Sequence, residues 1–207
     1  APELPVAPTV SPTTPLGKKR PIRALKIQLG LKCNGSCKYC NQTARPAESH
    51  GNLKDAKAFL EWLPNWLEPA GADVQGKDLR IEFWGGEPFL YWKTMRYLGD
   101  MLHERYPNAA FNIVTNGRVL DEEKIAWLDR HNVAVAVSHD GPAHRDNRLY
   151  DPFDTPATAE HLRKLFYRLS PKGLISFNCV LANNNPSLAA IREYIAAHLG
   201  CRAENVP

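Results

Sequence analysis

Apolar residues recur along this chain with two alternating periods. Short segments rich in apolar residues predict strands, and each is followed by a segment whose apolar residues stand three or four positions apart, as on one face of a helix. The predicted strands span residues 23–30, 78–84, 110–115, 133–138 and 174–181. The predicted helices span residues 53–63, 89–106, 121–131, 158–169 and 187–200. The pattern therefore predicts five strand–helix units.

The alternation of strands and helices predicts the fold class. Such chains form a parallel sheet with right-handed crossovers, so we expect an α/β fold. A closed TIM-type barrel has eight units over about 250 residues, whereas this chain of 207 residues has five. We therefore predict an open, partial TIM-type barrel. The sequence stops soon after the fifth helix, where a further strand is expected, so truncation before the last strand is part of the prediction.

Composition divides the chain into two regions. Residues 1–21 contain six prolines among threonine, serine and valine, which favours an extended or disordered segment. Residues 22–207 are predicted to form one globular domain, because a chain with 43% apolar and 23% charged residues has an ordinary composition for such a domain. Within this domain, Pro64 is expected to end or kink the first helix.

Several classes of protein are disfavoured by composition. No apolar run reaches the roughly 20 residues that cross a bilayer, so no membrane partner is predicted. No charged-then-apolar leader is present, which does not support secretion. The net charge of +4 is mild, and the basic run at residues 18–20 lacks accompanying aromatic residues, so we expect no nucleic-acid partner. Five cysteines are too few for a disulfide scaffold, and three of them in a cluster indicate metal or redox chemistry.

Four unusual peptides follow the first four predicted strands. The cysteine-containing loop follows the first strand, WGGEP (residues 84–88) the second, TNG (115–117) the third and SHDGP (138–142) the fourth. Each alone is compatible with ordinary turn chemistry. Ligands of parallel α/β proteins bind beyond the carboxyl ends of the strands, so four such peptides at one rim predict a single site.

The spacing of three cysteines suggests an incomplete ligand set. Cys33, Cys37 and Cys40 lie within eight residues, and no second cysteine or histidine pair stands at the spacing of a structural zinc site. A four-iron cluster normally takes four thiolates, so three would leave one iron open to an external ligand, which favours reactivity over electron storage. Cys179 and Cys201 are isolated in sequence, and we interpret each as a small, buried apolar residue.

The WGGEP peptide has two interpretations. Gly85 and Gly86 allow a backbone to approach a ligand closely, and Glu87 places a carboxylate beside them. That combination suits a ligand with a cationic amine. The alternative is a plain strand-to-helix turn with Glu87 in the first helical turn.

Together these motifs resemble those of the radical S-adenosylmethionine (radical SAM) enzymes. The resemblance rests on the Cys-x3-Cys-x2-Cys spacing, on Tyr39 before the third cysteine and on GGEP after the second strand, and it covers residues 24–199. It implies a partial (β/α)6 barrel that holds a [4Fe–4S] cluster and S-adenosylmethionine (SAM). The cluster would reductively cleave SAM to a 5′-deoxyadenosyl radical that abstracts a hydrogen from the substrate.

The resemblance also implies roles for individual residues. The three cysteines would ligate three irons, while the amino and carboxylate groups of SAM chelate the fourth. Tyr39 would lie near the adenine, with a simple packing role as the alternative. The resemblance further implies that Gly85, Gly86 and Glu87 hold the methionine amino group of SAM. Asn116 and Ser138 would contact its sulfonium side or its ribose.

A longer segment narrows the resemblance. SHDGPAHRDNR is similar to the Ser-x-Asp-Gly-Pro…His…Asn-Arg segment of sulfatase-maturating enzymes and related peptide maturases, although it is about two residues shorter and His139 replaces an isoleucine or leucine. Arg148 would then pair with the SAM carboxylate, the alternative being a solvent-exposed loop arginine. We interpret the histidines outside this motif as surface or core residues, and His144 as a possible neighbour of the site.

The expected function is therefore radical oxidation or crosslinking of a peptide or protein side chain. The expected partners are a peptide or protein substrate and a reducing protein such as flavodoxin or ferredoxin, and the expected compartment is the cytoplasm. Two alternatives within the family are a glycyl-radical activase and an enzyme for a small molecule. A third is a non-catalytic iron–sulfur module for electron transfer or metal binding, which would need Cys179 or Cys201 as a fourth ligand.

Overall fold

A computed structural model describes residues 22–42, 51–67 and 79–207, and these contain five parallel strands in one sheet. The strand order follows the chain, β1-β2-β3-β4-β5, so each strand pairs with its neighbour in sequence. This arrangement confirms the predicted open, parallel α/β fold. The prediction for residues 1–21 lies outside the described residues. The strands are β1 (Ala24–Gln28), β2 (Arg80–Trp84), β3 (Ala110–Thr115), β4 (Ala134–Ser138) and β5 (Ile175–Asn178).

Six α-helices connect and follow these strands in the described residues. They are α1 (Leu53–Leu67), α2 (Trp92–Arg105), α3 (Glu122–Arg130), α4 (His144–Arg148), α5 (Pro156–Leu169) and α6 (Leu188–Leu199). Five of them confirm predicted helices, with small shifts at their ends. The sequence analysis missed α4, because five residues are too few to show a helical period. No helix in the described ranges combines the length and apolar character of a membrane span.

The first helix departs from the prediction at Pro64. The helix runs through Pro64 and ends three residues later at Leu67, so of the two predicted effects of the proline, an end or a kink, the end was wrong. Leu63 and Leu67 are both buried, at 0% and 1% exposure. Burial of a leucine side chain stabilises a fold by about 1.5–3 kcal/mol, which favours continuation of the helix against the missing backbone hydrogen bond of the proline.

The two faces of the sheet differ in chemistry. Alternate strand residues such as Ile81, Ile113 and Val137 have 0% exposure and belong to the apolar core shared with the helices. The opposite face carries polar side chains, because side chains alternate between faces along a strand. There the carboxylate of Glu82 lies 3.0 Å from the Lys26 ammonium and accepts a 2.8 Å hydrogen bond from the Asn112 amide. Glu82 on this polar face also lines a cavity at the carboxyl ends of the strands.

The core predicts a measurable contrast between two leucines. Leu128 of α3 has 0% exposure, whereas Leu188 at the start of α6 is 59% exposed. We expect Leu128→Ala to lower the free energy of unfolding by about 2–5 kcal/mol, because it leaves a cavity in a close-packed core. Leu188→Ala is expected to change it by less than about 0.5 kcal/mol. Urea unfolding followed by circular dichroism measures both, and equal losses for the two variants would contradict the packing described here.

Candidate cluster and cofactor site

The loops after the first four strands enclose one cavity of about 640 Å³ at the carboxyl edge of the sheet. Each of these loops contributes residues to its wall, as the sequence pattern predicted for a single site. Glu87 is the one predicted site residue that does not line it. The predicted residues that do line it are Cys33, Cys37, Tyr39, Cys40, Gly85, Gly86, Asn116, Ser138 and Arg148.

The cysteine loop, described here for residues 29–42, has almost no regular secondary structure. Contacts with later segments of the chain hold it in place. The backbone N–H of Lys38 donates to the Asn147 carbonyl at 2.8 Å, which ties the loop to α4. On its other side, the carbonyl of Asn34 accepts from the Arg118 guanidinium at 2.5 Å, and its side-chain oxygen accepts from the Asn116 amide at 2.7 Å. The third and fourth loops therefore set the position of the cysteines.

The three cysteines form no disulfide, and their environment suits a cationic metal group. Partial burial raises the pKa of the Cys33 thiol, and negative charge on Glu87 and on the other two cysteines acts in the same direction, against a hydrogen bond from the Gly35 N–H. Burial also raises the pKa of Cys37, against the attraction of the Arg148 cation. Three thiolates crowded in this way repel one another, and bound iron would stabilise them because metal ligands bind in the deprotonated form.

The cavity offers three sulfur ligands and no fourth cysteine among the described residues that line it. Cys179 and Cys201 do not belong to its wall, and His144 is the one histidine in it. Both ring nitrogens of His144 are occupied, since Nδ1 accepts from the Asp140 N–H at 3.2 Å and Nε2 lies 2.9 Å from the Tyr150 carbonyl. The residues present therefore fit a [4Fe–4S] cluster with one iron left open.

The two glycines of the second loop serve the packing of protein backbone against protein backbone. A Cβ atom on Gly85 would lie 2.2 Å from the Gly30 carbonyl oxygen, and one on Gly86 would lie 2.3 Å from the Lys32 carbonyl oxygen. The N–H groups of Gly86 and Glu87 donate to these two carbonyls at 2.9 and 3.0 Å. The cysteine loop thus fills the space that a Cβ atom would need at either glycine, while the predicted contact of these glycines with a ligand stays a prediction.

The carboxylate of Glu87 faces into the protein. Its side chain belongs to a residue with 1% exposure and accepts hydrogen bonds from Thr115 Oγ1 at 2.8 Å, the Asn116 N–H at 2.8 Å and the Phe89 N–H at 3.2 Å. Burial raises the pKa of Glu87, although these hydrogen bonds act in the opposite direction. The side chain joins the second loop to the third, and it also caps the 3₁₀ turn Pro88–Tyr91, as in the alternative interpretation.

Asn116 and Ser138 stand at the ends of β3 and β4. The Asn116 amide lies 3.9 Å from Cys33 Sγ while it donates to Asn34, so it is beside the cysteines. Ser138 is the last residue of β4 and lines the cavity.

Arg148 lies in α4 and is held by a buried carboxylate. Its side chain is 11% exposed and forms an ion pair with Asp140, with Nε 2.9 Å from Oδ2, so the alternative of a solvent-exposed loop arginine was wrong. Tyr39 donates its hydroxyl to the same Oδ2 at 2.5 Å. Burial would raise the pKa of Asp140, but hydrogen bonds from Arg148, Tyr39 and the Val180 N–H hold it below its usual range.

A buried polar network lies behind α4 and was missed by the sequence analysis. His139 and Asp151 have 0% and 3% exposure, and His139 Nε2 is 3.0 Å from Asp151 Oδ1. The Tyr194 hydroxyl donates to the other oxygen of Asp151 at 2.9 Å. Burial beside His139 lowers the pKa of His144 to about 4, so this ring is neutral near pH 7. The available signal was His139 itself, a polar residue at a position where the resemblance predicts isoleucine or leucine.

The rim of the cavity carries further residues that no motif indicated. The Arg118 guanidinium stacks on the Tyr150 ring at 4.5 Å from its centroid, and Tyr150 is 53% exposed. Trp84 and Lys32 also line the cavity. An exposed arginine–aromatic pair suits contact with a larger partner, because such pairs combine apolar area with hydrogen-bond donors.

Comparison with known proteins agrees with this geometry. The profile described as "Radical SAM superfamily" matches residues 27–186, which is most of the chain. The chain belongs to the radical SAM superfamily. Members of this superfamily use a [4Fe–4S] cluster and SAM. The predicted family, fold and cofactors are thereby confirmed.

Two curated relatives illustrate the range of radical SAM enzymes that the chain resembles. It is 28% identical over 194 residues to the radical SAM cyclopropyl synthase TigE of Paramaledivibacter caminithermalis, covering 86% of this chain and 41% of TigE. It is 29% identical over 120 residues to a probable GTP 3′,8-cyclase of Methanococcus maripaludis, covering 56% of this chain and 37% of the cyclase. The chain thus spans about two fifths of the length of either relative.

Two solved structures of radical SAM enzymes share the fold. One is anSMEcpe with bound AdoMet and the Cp18Cys peptide, with a TM-score of 0.64 and 22% identity over 84% of this chain and 47% of that chain. The other is SuiB of Streptococcus suis bound to the precursor peptide SuiA, with a TM-score of 0.60 and 16% identity over 87% of this chain and 37% of that chain.

The glycine packing predicts a specific defect in cluster assembly. Gly86→Ala would place Cβ 2.3 Å from the Lys32 carbonyl oxygen, so the cysteine loop has to move. We expect the variant to lose most of the iron and sulfide that the wild-type protein binds on anaerobic reconstitution. Gly51→Ala is the matched control, because its Cβ would lie 3.5 Å from the Leu29 carbonyl, an ordinary contact. Wild-type iron content in Gly86→Ala would refute the proposed packing constraint.

The buried carboxylate predicts a loss of stability in Glu87→Gln. The two carboxylate oxygens accept from the Phe89 and Asn116 N–H groups, so in either orientation the new NH2 group would face one of these donors. We therefore expect the free energy of unfolding to fall by about 1–3 kcal/mol. Glu123→Gln is the control, since the Glu123 side chain is 56% exposed and pairs with Arg96 at the surface, where about 0–1 kcal/mol is expected. Urea unfolding measures both variants. Unchanged stability together with weaker SAM binding would indicate that Glu87 contacts the ligand directly.

Proposed function

We propose that this radical SAM enzyme removes a hydrogen atom from a side chain of a peptide or protein, leading to oxidation or crosslinking. The observation that carries the radical chemistry is the set of three cysteines outside any disulfide in a cavity with no fourth cysteine among its described lining residues. An iron without a protein ligand at a cavity wall is accessible to a chelating cofactor.

The residues of the cavity divide between cluster and cofactor in this proposal. Cys33, Cys37 and Cys40 bind three irons, and Arg148 pairs with the carboxylate of SAM through guanidinium edges that suit a carboxylate geometrically. When bound, the cluster supplies the electron that splits SAM into methionine and a 5′-deoxyadenosyl radical. The chain's remaining role is to orient the cofactor and to keep water from the radical.

The remaining cofactor contacts are proposed from position in the cavity wall. Gly85 and Gly86 present backbone beside the cysteine loop and would hold the methionine amino group. Ser138 and Asn116 end neighbouring strands and would face the ribose or the sulfonium side, while Tyr39 would lie near the adenine. Glu87 enters this proposal as a positioning residue for Asn116, because its carboxylate accepts from the Asn116 N–H.

Support for a peptide or protein substrate comes from the cavity rim and from the neighbours. The rim exposes Tyr150, which is stacked with Arg118, and partly exposes Trp84. Aromatic and arginine side chains are enriched where proteins recognise macromolecular partners. The two structural neighbours described above were determined with peptides bound. A reducing protein such as flavodoxin or ferredoxin completes the proposed set of partners.

Product analysis tests the radical chemistry. The full-length protein, reconstituted anaerobically and reduced with dithionite, is expected to convert SAM into 5′-deoxyadenosine and methionine, measured by liquid chromatography. Cys37→Ala is expected to reduce this to the background without enzyme. Cys201→Ala is the matched control, because Cys201 does not line the cavity, and it should retain wild-type turnover. Absence of 5′-deoxyadenosine from the cluster-loaded wild-type protein would refute the proposal.

Mass spectrometry distinguishes the substrate classes. Co-expression with a candidate precursor peptide is expected to yield a product that has lost two hydrogens. A small-molecule substrate, which the relation to a GTP cyclase makes the second candidate, would leave every peptide unmodified while a nucleotide is consumed. A glycyl-radical activase would instead produce a stable protein radical on a partner. Loss of the cluster in a Cys179→Ala, Cys201→Ala double variant would favour the non-catalytic module.

A further inference from the structure

Asp140 connects three segments around the site, and no motif role accounts for its side chain. The carboxylate belongs to a residue with 0% exposure. Its oxygens accept from the Tyr39 hydroxyl at 2.5 Å, from Arg148 Nε at 2.9 Å and Nη2 at 3.3 Å, and from the Val180 N–H at 2.9 Å. The first loop, α4 and the segment after β5 thus meet on one side chain.

The contact between Asp140 and Arg148 occupies one edge of the guanidinium. Nε and Nη2 face Asp140, while Nη1 lies 3.7 Å from Cys37 Sγ and the residue lines the cavity. An arginine carries five N–H donors in a planar fork, so the edge formed by Nη1 and Nη2 retains donors for a second carboxylate. The ring of Tyr39 lies 5.2 Å from Arg148 Cζ and restricts the plane of the guanidinium.

We propose that Asp140 is a positioning residue for the cofactor: it holds the guanidinium of Arg148 so that its free edge faces the carboxylate of SAM beside Cys37. This inference rests on the proposed function, in which Arg148 binds that carboxylate. Without Asp140, the arginine keeps its charge but has several rotamers available, and the order of its side chain must then be imposed by the ligand. Residues that orient a metal-site ligand from behind typically contribute about 10- to 100-fold to affinity or activity.

Binding of SAM to the oxidised, cluster-loaded protein, in which no cleavage occurs, provides the test. Isothermal titration calorimetry is expected to show SAM binding to Asp140→Asn about 10- to 100-fold more weakly than to the wild-type protein, with iron and sulfide content unchanged. The electron paramagnetic resonance signal of the reduced cluster should lose most of the change that SAM causes in the wild type.

Asp151→Asn is the matched control. Asp151 is also a buried carboxylate, with 3% exposure, and accepts from Tyr194, the Phe153 N–H and His139, but it has no contact with Arg148 or Tyr39. Its variant should lose stability comparably and still bind SAM within about twofold of the wild type. Equal SAM losses in the two variants would assign the effect of Asp140 to the general stability of the fold and overturn the inference.

A double-mutant cycle tests whether Asp140 acts through Arg148. In an Arg148→Met background, Asp140→Asn should cause no further loss of SAM affinity; a full additional loss would overturn the inference. Arg148→Lys decides the matter if Asp140→Asn does not fold. An ammonium lacks the planar fork that offers a bidentate edge to each of two carboxylates, so weak binding is expected, and wild-type affinity would overturn the inference by showing that charge alone suffices. A wild-type protein that fails to bind SAM refutes the proposed function itself.

Discussion

The site depends on the close contact between the backbones of its first two loops. The cysteine loop has almost no regular structure, so its path is defined by what it touches. Gly86 and Glu87 donate backbone hydrogen bonds to the loop, and any side chain at Gly85 or Gly86 would collide with it. A parallel sheet brings the carboxyl ends of its strands to one edge, which is why Glu87 can bond to Lys32, 55 residues earlier in the sequence. This contact, together with the hydrogen bonds that join the cysteine loop to the third and fourth loops, sets the positions of the thiols.

The fold class and the position of the site could be predicted from the sequence. Strand and helix periods differ, so five strand–helix units were visible, and a parallel sheet then requires that the four unusual peptides share an edge. The spacing of Cys33, Cys37 and Cys40 indicated three metal ligands because no further ligand pair accompanies them. Local patterns of this kind are sufficient wherever chemistry is carried by neighbouring residues.

The interactions that organise the site were not visible in the sequence, because they join distant positions. The Tyr39–Asp140 hydrogen bond spans 101 residues, and no local period reports such a pair. The sequence of two glycines and a glutamate does not show whether the carboxylate faces a ligand or the protein. In this structure the Glu87 carboxylate faces three protein donors. The direction of a side chain depends on the donors around it, and here two of the three donors, on Thr115 and Asn116, come from another βα unit.

The sequential order of the strands has a consequence for biosynthesis. Cys37 precedes Arg148 by 111 residues, and ribosomes add about 5–20 residues per second, so the thiols leave the ribosome on the order of 10 s before the helix that covers one side of them. Throughout that interval the thiols stand without α4 beside them. Exposed thiols are the substrates of disulfide formation and sulfenylation. The thiols are therefore more accessible to oxidants during synthesis than after α4 has folded beside them.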